Sequence, residues 1–530
     1  MDSVDVTLNA TAVVIISLPQ ARGKMVYYYL RMPFFLHAKK LDYSTGGREH
    51  IVVFQEDEGK ILDIQPGDKV ELAWKGARVV ASANFSRHKV KKGEIGLFKE
   101  VWQKRSLPDG QVVEVTELAR PESIKAIRKK LLGQHLSYKE IYSIIYDIVH
   151  NNIGTTEMTY FVASGFMHSY SNEELYFLTK AMAETGEELK FPGKVIADKH
   201  SVGGLAGNRT TMIAIPIIAS LGITIPKTSS RAITSPSGTA DTMEVLSRVS
   251  FPTKKIKEIV RKSHACLVWG GSVSLAPADD KIIHISHPLS LEPYSKMVVS
   301  IMAKKVAMGV THLVIDMPYG PTTKIPDLAT AHKIKKKFAY VAKRFHIKLN
   351  VQMIPAREPV GRGVGPALEA RDVMLVLQQK SWRPLDLEKK AVRLAGILLE
   401  LIGKAKKGRG KQMALEALRS GKAEKKMRQI IALQNGKPQV DSEDIIRNAR
   451  RMRIFAKRTG KIVFINNRSV DEIARMLGAP YDKQAGVYLH KRFGDRVRKG
   501  EKLITIYSSS EDRETLAKKA LKRIDIYRIR

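Results

Sequence analysis

The chain has 530 residues, a single cysteine and a net charge of +37, from 90 lysines and arginines against 53 aspartates and glutamates. This length exceeds one ordinary core, and 44% hydrophobic residues suffice for about two to four globular domains. One cysteine excludes an internal disulfide, and the apolar run at residues 12–18 is too short to span a bilayer. We therefore expect a cytoplasmic protein with no membrane attachment.

The positive charge favours anionic partners such as nucleic acid or a phosphorylated substrate. Basic clusters recur at residues 333–344, 404–411, 422–428 and 447–458, mostly on helical stretches and with few interleaved aromatic residues. This distribution is typical of a solvated basic surface, and no motif for RNA or DNA recognition accompanies it. A dedicated nucleic-acid partner is disfavoured, and a non-catalytic nucleic-acid-binding protein is kept as a remote alternative.

The sequence pattern divides residues 1–190 into three segments. Residues 1–32 are poorly patterned and form an extension whose order is left open. Residues 33–118 contain short β-rich runs separated by turn signals, which predict a small β-barrel. Residues 119–190 change to helical periodicity, with capping boxes beginning at Ser137 and Ser171. They predict a separate all-helical domain, completed by residues 278–308.

The rest of the chain predicts an α/β domain and a C-terminal domain. Between residues 191 and 437, apolar strands alternate with helical patterns, which indicates a parallel or mixed sheet covered by helices. Residues 438–530 return to β-rich patterns in an α+β domain. Their last segment is similar to the hammerhead half-barrels of carrier domains, but it lacks a lysine in the context that those domains modify.

Two runs in the α/β domain predict an anion site. DKHSVGG at residues 198–204 and KTSSRAITSPSGTAD at 227–241 each follow an apolar stretch and precede a helical pattern. Strand, Gly/Ser-rich loop and helix start together favour a bound phosphate. The first run offers a charge, a rotating hydroxyl and backbone without Cβ atoms. The second packs hydroxyls around one arginine, Arg231, and such hydroxyls are costly to bury without a polar ligand.

Three further constellations carry polar groups. HPLSLEP at residues 287–293 precedes SIMAKK at 300–305, where Ser300 and Lys304 share a helix face at spacing i, i+4. Glu292 is the carboxylate nearest this helix, either a surface residue or a general acid. IDMPYGPTTK at 315–324 ends in Lys324, and GRGVGPALEARD at 361–372 opens a helix without fitting a Rossmann fingerprint. No metal-ligand spacing or cofactor motif is present, so neither a metal nor a cofactor is expected.

Together, KHSVGG, SSRAITSPSGTADTMEVL, SIMAKK and GPALEARD resemble the thymidine and pyrimidine nucleoside phosphorylase family. The resemblance covers about residues 33–530 and is closest to the long branch with an extra N-terminal β domain. It implies phosphorolysis, in which phosphate attacks the anomeric carbon and the base leaves. It also implies a site between a helical and an α/β domain, and a homodimer or larger homo-oligomer.

The resemblance assigns roles to individual residues. Catalytic roles fall on Glu292 as proton donor, His200 and Lys304. Positions implied to bind phosphate are Lys199, Ser201, Gly204, Thr211, Ser229 and Thr239. Positions implied to bind the nucleoside are Ser230, Arg231, Ala232, Ile233, Thr234, Ser235, His287, Ser300 and Lys324. Two of these depart from the family pattern. Glu292 stands where the long branch has aspartate. The short enzymes have a base-binding arginine just before this motif, where this chain has His287.

The substrate is predicted by the finer motifs. SPSGTADTME, PYGPTT and GRGVGPALEARD are more similar to the bacterial enzymes of the thymidine type than to the archaeal AMP enzymes. We therefore expect a thymidine phosphorylase, which forms thymine and 2-deoxyribose 1-phosphate. The alternative is an AMP phosphorylase, which forms ribose 1,5-bisphosphate and a free base. A nucleotide substrate requires a second anion site.

Overall fold

The computed structural model describes residues 13–20, 24–31, 33–47, 49–103, 107–232, 235–286, 294–447 and 449–530, with side chains from residue 33 onward. The chain divides into two compact units, residues 1–185 with 278–293 and residues 186–277 with 294–530. The structure thus splits the segment 278–308, which the sequence analysis placed whole in the helical domain. Within the described ranges, no helix combines the length and apolar character needed to cross a bilayer.

The N-terminal extension contains an antiparallel hairpin for which no element was predicted. Its strands are β1 (Val13–Gln20) and β2 (Lys24–Arg31), and Val13 pairs with Arg31 at the open end. Both strands are rich in β-branched or aromatic residues, which favour extended backbone.

A closed six-stranded barrel follows, so the predicted small β-barrel is confirmed. The strands run in the order β3-β7-β4-β6-β5-β8. Alternate side chains of β5, namely Val70, Leu72 and Trp74, fill the interior, as period-two patterning requires. The elements are β3 (Phe34–Lys40), β4 (Ile51–Gln55), α1 (Glu56–Ile61), β5 (Lys69–Trp74), β6 (Ala77–Ser86), β7 (Glu94–Leu97), α2 (Lys99–Trp102) and β8 (Val112–Glu117).

Four helices form the next part of this unit: α3 (Ser123–Leu131), α4 (Tyr138–His150), α5 (Thr155–Met167) and α6 (Asn172–Glu184). The capping boxes predicted at Ser137 and Ser171 are both present. Glu174 closes the second box and also accepts hydrogen bonds from Lys130 Nζ at 2.9 Å and from the Leu136 amide at 3.1 Å. Lys130 and Glu174 are almost completely buried. This ion pair therefore joins α3 to the start of α6.

Replacing Lys130 tests this anchor. In Lys130→Met, Glu174 keeps its backbone partners but loses its buried counter-charge. We expect the opening free energy of α3 and α6 amides, measured by hydrogen exchange, to fall by about 3 kcal/mol. The matched control is Lys125→Met, because Lys125 pairs with Glu122 on the exposed surface; its effect should stay below about 0.5 kcal/mol. Equal loss of protection in the two variants would contradict the anchor.

The second unit is built on parallel strands covered by helices, as predicted. Strands β13, β12 and β9 form one parallel ladder and β10 and β11 another, and a parallel bridge between Ile196 and Thr224 links the two. The elements from here are β9 (Ala197–Ser201), α7 (Thr210–Ser220), β10 (Ile225–Ser229), α8 (Thr239–Glu244), α9 (Thr253–Ser263), β11 (Ala265–Trp269), α10 (Pro277–Ser286, in the first unit), α11 (Tyr294–Ala307), β12 (His312–Tyr319), α12 (Leu328–Arg344), β13 (Lys348–Pro355), β14 (Gly363–Val364) and α13 (Pro366–Leu377).

The remaining elements cover the sheet and form a C-terminal α+β region. Helices α14 and α7 contribute mostly buried residues to one core cluster, and the C-terminal strands and helices share a second cluster. The C-terminal sheets are antiparallel, β14-β17-β19-β15 and β18-β16-β20; the hammerhead detail stays a prediction. The elements are α14 (Leu385–Ile402), α15 (Gly410–Arg419), α16 (Lys422–Leu433), β15 (Arg450–Phe455), β16 (Gly460–Ile465), α17 (Asn467–Met476), β17 (Gly486–Leu489), β18 (Arg496–Val497), β19 (Lys502–Ser508), α18 (Glu511–Ala520) and β20 (Tyr527–Ile529).

Candidate active site

The two polar runs begin inside strands, which corrects the prediction that each run is a loop throughout. Residues 198–201 belong to β9 and pair with β12, and residues 227–229 belong to β10. Because side chains alternate along a strand, Asp198 and His200 lie on one face of the sheet, while Lys199 and Ser201 lie on the other. The site is therefore built from two opposite faces that meet at the carboxyl end of β9.

On the first face, Asp198 lies between two lysines. Its Oδ1 is 3.1 Å from Lys227 Nζ, its Oδ2 is 2.5 Å from Lys305 Nζ, and all three side chains are at most 4% exposed. Burial pushes the pKa of Asp198 up, but the charges of Lys227 and Lys305 outweigh it and hold this pKa below its ordinary value. The carboxylate therefore stays ionised and fixes both ammonium groups.

His200 lies beside this group, with its Nδ1 3.4 Å from Lys227 Nζ. The residue keeps some accessible surface, but protein atoms surround the ring. This burial, and then the charges of Lys227, Lys305, Lys199 and Lys304, lower the pKa of His200 well below its ordinary value. The imidazole is therefore neutral at pH 7. The predicted residues His200 and Lys304 come within electrostatic reach of each other, and Ser300 lies one turn before Lys304 on α11.

On the second face, the predicted residues Lys199 and Thr211 meet. Lys199 Nζ donates to Thr210 Oγ1 at 2.7 Å and to Thr211 Oγ1 at 3.1 Å, and it is 3.6 Å from Asp316 Oδ2. The side chain of Lys199 is fully buried. Burial lowers its pKa to about 8, although Asp316 opposes this shift. Lys199 is thus held beneath the start of α7.

Asp316 on β12 repeats the arrangement seen at Asp198, because it too lies between two lysines. Its Oδ2 is 3.1 Å from Lys390 Nζ on α14 as well as 3.6 Å from Lys199. The same oxygen accepts from Asn208 Nδ2 at 2.9 Å, and this amide nitrogen is also 3.1 Å from Ser201 Oγ. The Ser201 hydroxyl is thereby oriented at the end of β9.

The second polar run is organised by carboxylates of α8. Arg231 donates to both oxygens of Glu244 at 2.6 Å and to Asp241 at 3.2 Å. Its hydrogen bonds lower the pKa of Glu244 to about 2. Asp241 also accepts from the backbone amides of Ala232 and Gly238, at 2.6 and 2.9 Å. Asp241 and Glu244 therefore hold Arg231 and the loop backbone in place.

Hydroxyl groups surround this loop. Ser229 Oγ donates to the carbonyl of Val268 at 3.3 Å, and Ser235 Oγ donates to the carbonyl of Ser237 at 2.9 Å. Thr239 is the first residue of α8 and is partly exposed, and Ser230, before Arg231, is exposed. Four candidate residues, Ile233, Thr234, His287 and Glu292, lie outside the described residues.

Lys324 lies next to Gly204 in the first polar run. Gly204 has a φ of +74°, and a Cβ at this position would lie 2.5 Å from Lys324 Cγ and 2.7 Å from its backbone nitrogen. Gly203, with a φ of +85°, leaves 4.0 Å to Lys324 Cε. Gly204 is therefore required for the close approach of the loop that carries Lys324.

Three domain families match the chain. The Glycosyl transferase family helical bundle domain matches residues 124–186, the Glycosyl transferase family a/b domain matches 193–424, and the Pyrimidine nucleoside phosphorylase C-terminal domain matches 461–527. AMP phosphorylase from Thermofilum pendens is 43% identical over 461 residues, which cover 87% of this chain and 89% of that protein. The chain belongs to the thymidine and pyrimidine nucleoside phosphorylase family.

Two further relatives also match over most of both chains. AMP phosphorylase from Pyrococcus furiosus is 42% identical over 90% of this chain and 94% of that protein. AMP phosphorylase from Methanosarcina acetivorans is 40% identical over 91% and 94%. A solved anthranilate phosphoribosyltransferase from Thermus thermophilus has a TM-score of 0.49 and 17% identity, covering 59% of this chain and 99% of that chain; this similarity is too low to bear on function. The protein is thus an enzyme of the pentosyltransferase class.

The family resemblance did not identify every charged residue at the site. Asp198, Lys227, Lys305, Asp316 and Lys390 were not singled out, although the first four lie within the quoted motifs. Charged residues within otherwise apolar strands were the available signal for Asp198, Lys227 and Asp316, because buried charges require partners.

The fifth motif, at residues 361–372, has a structural role next to the site. Its Glu369 forms an ion pair with Arg209 and accepts from Thr242 Oγ1 at 2.9 Å. Arg209 also donates to the backbone carbonyl of Ser237. Asp372 accepts from the backbone amides of Arg362 and Gly363. The motif therefore joins the start of α7 to the second polar loop.

Gly204 offers a test of the loop geometry in this nucleoside phosphorylase. Gly204→Ala adds a methyl group where Lys324 lies, so we expect the affinity for inorganic phosphate, measured by calorimetry, to fall by at least about tenfold. Gly203→Ala is the matched control, because it carries a similar strain of about 1–2 kcal/mol from positive φ without the steric overlap. Equal phosphate affinities of the two variants would show that the contact with Lys324 does not matter.

Proposed function

We propose that the chain is a nucleotide phosphorylase that acts on AMP and phosphate, releasing adenine and ribose 1,5-bisphosphate. The observation that carries this proposal is the 40–43% identity, over most of the chain, to proteins named AMP phosphorylase. The order of substrates in the sequence analysis is therefore reversed, because these relatives support the alternative better than thymidine. The motifs chosen to separate the two types did not discriminate between them.

The charge of the site also supports a nucleotide. Two buried aspartates of the site are each bracketed by two lysines, Asp198 by Lys227 and Lys305 and Asp316 by Lys199 and Lys390. Four lysines against two aspartates leave a surplus of positive charge. This surplus favours anionic ligands, and a nucleoside 5′-monophosphate adds a second anionic group to the attacking phosphate.

In the proposed reaction, a phosphate oxygen attacks C1′ of the ribose while the bond from C1′ to N9 breaks. The electron pair of that bond goes to adenine, which takes up a proton. We assign the attacking phosphate to Lys199, Ser201, Gly204, Thr211, Ser229 and Thr239. His200, Ser300, Lys304 and Lys324 are assigned to the nucleotide. Positioning both reactants accounts for most of the expected acceleration.

The substrate is decided by a direct comparison. AMP, CMP, thymidine and uridine are incubated with the enzyme, with and without phosphate, and the released base is quantified. We expect phosphate-dependent release from AMP at a kcat/KM at least about tenfold above that for thymidine, because only the nucleotide carries a second anion. Faster release from thymidine would restore the nucleoside assignment, and release that is independent of phosphate would exclude a phosphorylase.

The proton donor is tested by substitution of Glu292, which we propose as the general acid. Glu292→Gln removes the proton but keeps the shape, so kcat should fall by about 10²–10⁴ with little change in the KM for phosphate. Glu258→Gln, on the exposed face of α9, is the control and should leave kcat unchanged. A Glu292→Gln enzyme with full kcat would move the donor role to another group, with His200 next.

A further inference from the structure

Lys227 is placed to act on His200 as well as on Asp198. Its ammonium group has three N–H donors. Two are directed at Asp198, at 3.1 Å from Oδ1 and 3.4 Å from Oδ2, and the third is available for His200 Nδ1 at 3.4 Å. Asp198 already has a counter-charge in Lys305, at 2.5 Å. Neutralising the charge of Asp198 therefore does not by itself explain why a second lysine, Lys227, is buried here.

The contact with His200 has a chemical consequence. A neutral imidazole carries one proton, on Nδ1 or on Nε2, and the other nitrogen is an acceptor. In its ammonium form Lys227 only donates, so Nδ1 facing it is then the acceptor. The proton is then on Nε2, and the ring presents a donor on the side away from Lys227.

We propose that Lys227, held by Asp198, is a positioning residue that fixes His200 as the Nε2–H tautomer, so that the ring donates a hydrogen bond to an acceptor nitrogen of the departing base. This role rests on the proposed function. The donor stabilises the electron pair that the base receives when the glycosidic bond breaks, which is the point in the reaction where a hydrogen bond gains most.

The other charged groups around His200 favour the same state. Asp198 and Lys199 lie on its own strand, Lys227 on β10, and Lys304 and Lys305 on α11. Four of these five groups are cations, and their charges add to the burial of the ring in keeping it neutral. An imidazolium would have two donors and could not accept from Lys227, so the cationic surroundings and the contact at Nδ1 act together.

Two uncharged substitutions of equal length test the hydrogen bond. Lys227→Met and Lys227→Gln both remove the charge and leave Asp198 paired with Lys305, but only glutamine can donate to Nδ1. The tautomer is read from the ¹⁵N shifts of both ring nitrogens in histidine-labelled, ligand-free enzyme, with the signal of His200 assigned by its loss in His200→Asn. We expect Nδ1 unprotonated in the unsubstituted enzyme and in Lys227→Gln, and protonated or mixed in Lys227→Met.

A protonated Nδ1 in the unsubstituted enzyme, or identical tautomers in the two variants, would overturn the proposal. If Lys227→Met does not fold, the pair is repeated in the Asp198→Asn background, which removes the buried carboxylate. In turnover, kcat of Lys227→Met should lie at least about tenfold below that of Lys227→Gln, with the KM for phosphate within about twofold. Lys262→Met, on the exposed face of α9, should match the unsubstituted enzyme.

The two proposals fail in different ways. The tautomer is measured without substrate, so an enzyme that releases no adenine from AMP would refute the substrate assignment while leaving the tautomer result standing. An enzyme that cleaves AMP at full rate in Lys227→Met would instead refute the role of Lys227 and leave the phosphorylase assignment intact.

Discussion

The second unit depends on buried aspartates that are each bracketed by two lysines. Asp198 and Asp316 are fully buried, and breaking such a pair by removing one partner costs about 3–5 kcal/mol because a charge is left without compensation. The lysines come from β9, β10, α11 and α14, so each carboxylate fixes elements that are distant in sequence. The positions of the candidate site residues follow from these two ionic clusters.

The clusters explain how neighbouring residues acquire different roles. Lys305 is bound to Asp198, which fixes the rotation of α11 and thereby the direction of Ser300 and Lys304 on the same helix. On the other face, Asn208 links Asp316 to the hydroxyl of Ser201. The side chains assigned to substrates are therefore held by neighbouring residues of the two ionic clusters. The site can keep its geometry before ligands bind.

The sequence predicts the secondary-structure elements better than the ion-pair partners of the buried charges. The barrel, the capping boxes and the parallel sheet follow from local periodicity and turn chemistry, which act within a few residues. The two loops were predicted to begin too early in the chain, because charged residues such as Asp198 and Lys227 are atypical of buried strands. Only their distant partners make the strand conformation favourable. The pairing of Lys390 with Asp316 spans over seventy residues and leaves no local signal. His287 and Glu292 stay predictions.

The surplus of lysines links protonation to anion binding. Burial is the largest cause that lowers the pKa of Lys199 to about 8 and that of Lys227 to about 7, and neighbouring lysines add to it, so both groups release a proton more readily than an exposed lysine. An anion placed at the carboxyl end of β9 opposes this shift and favours the ammonium form. Because binding and protonation are thermodynamically linked, each anion raises the affinity of the site for protons, and each proton raises its affinity for anions. Anion binding and lysine protonation at this site therefore reinforce each other.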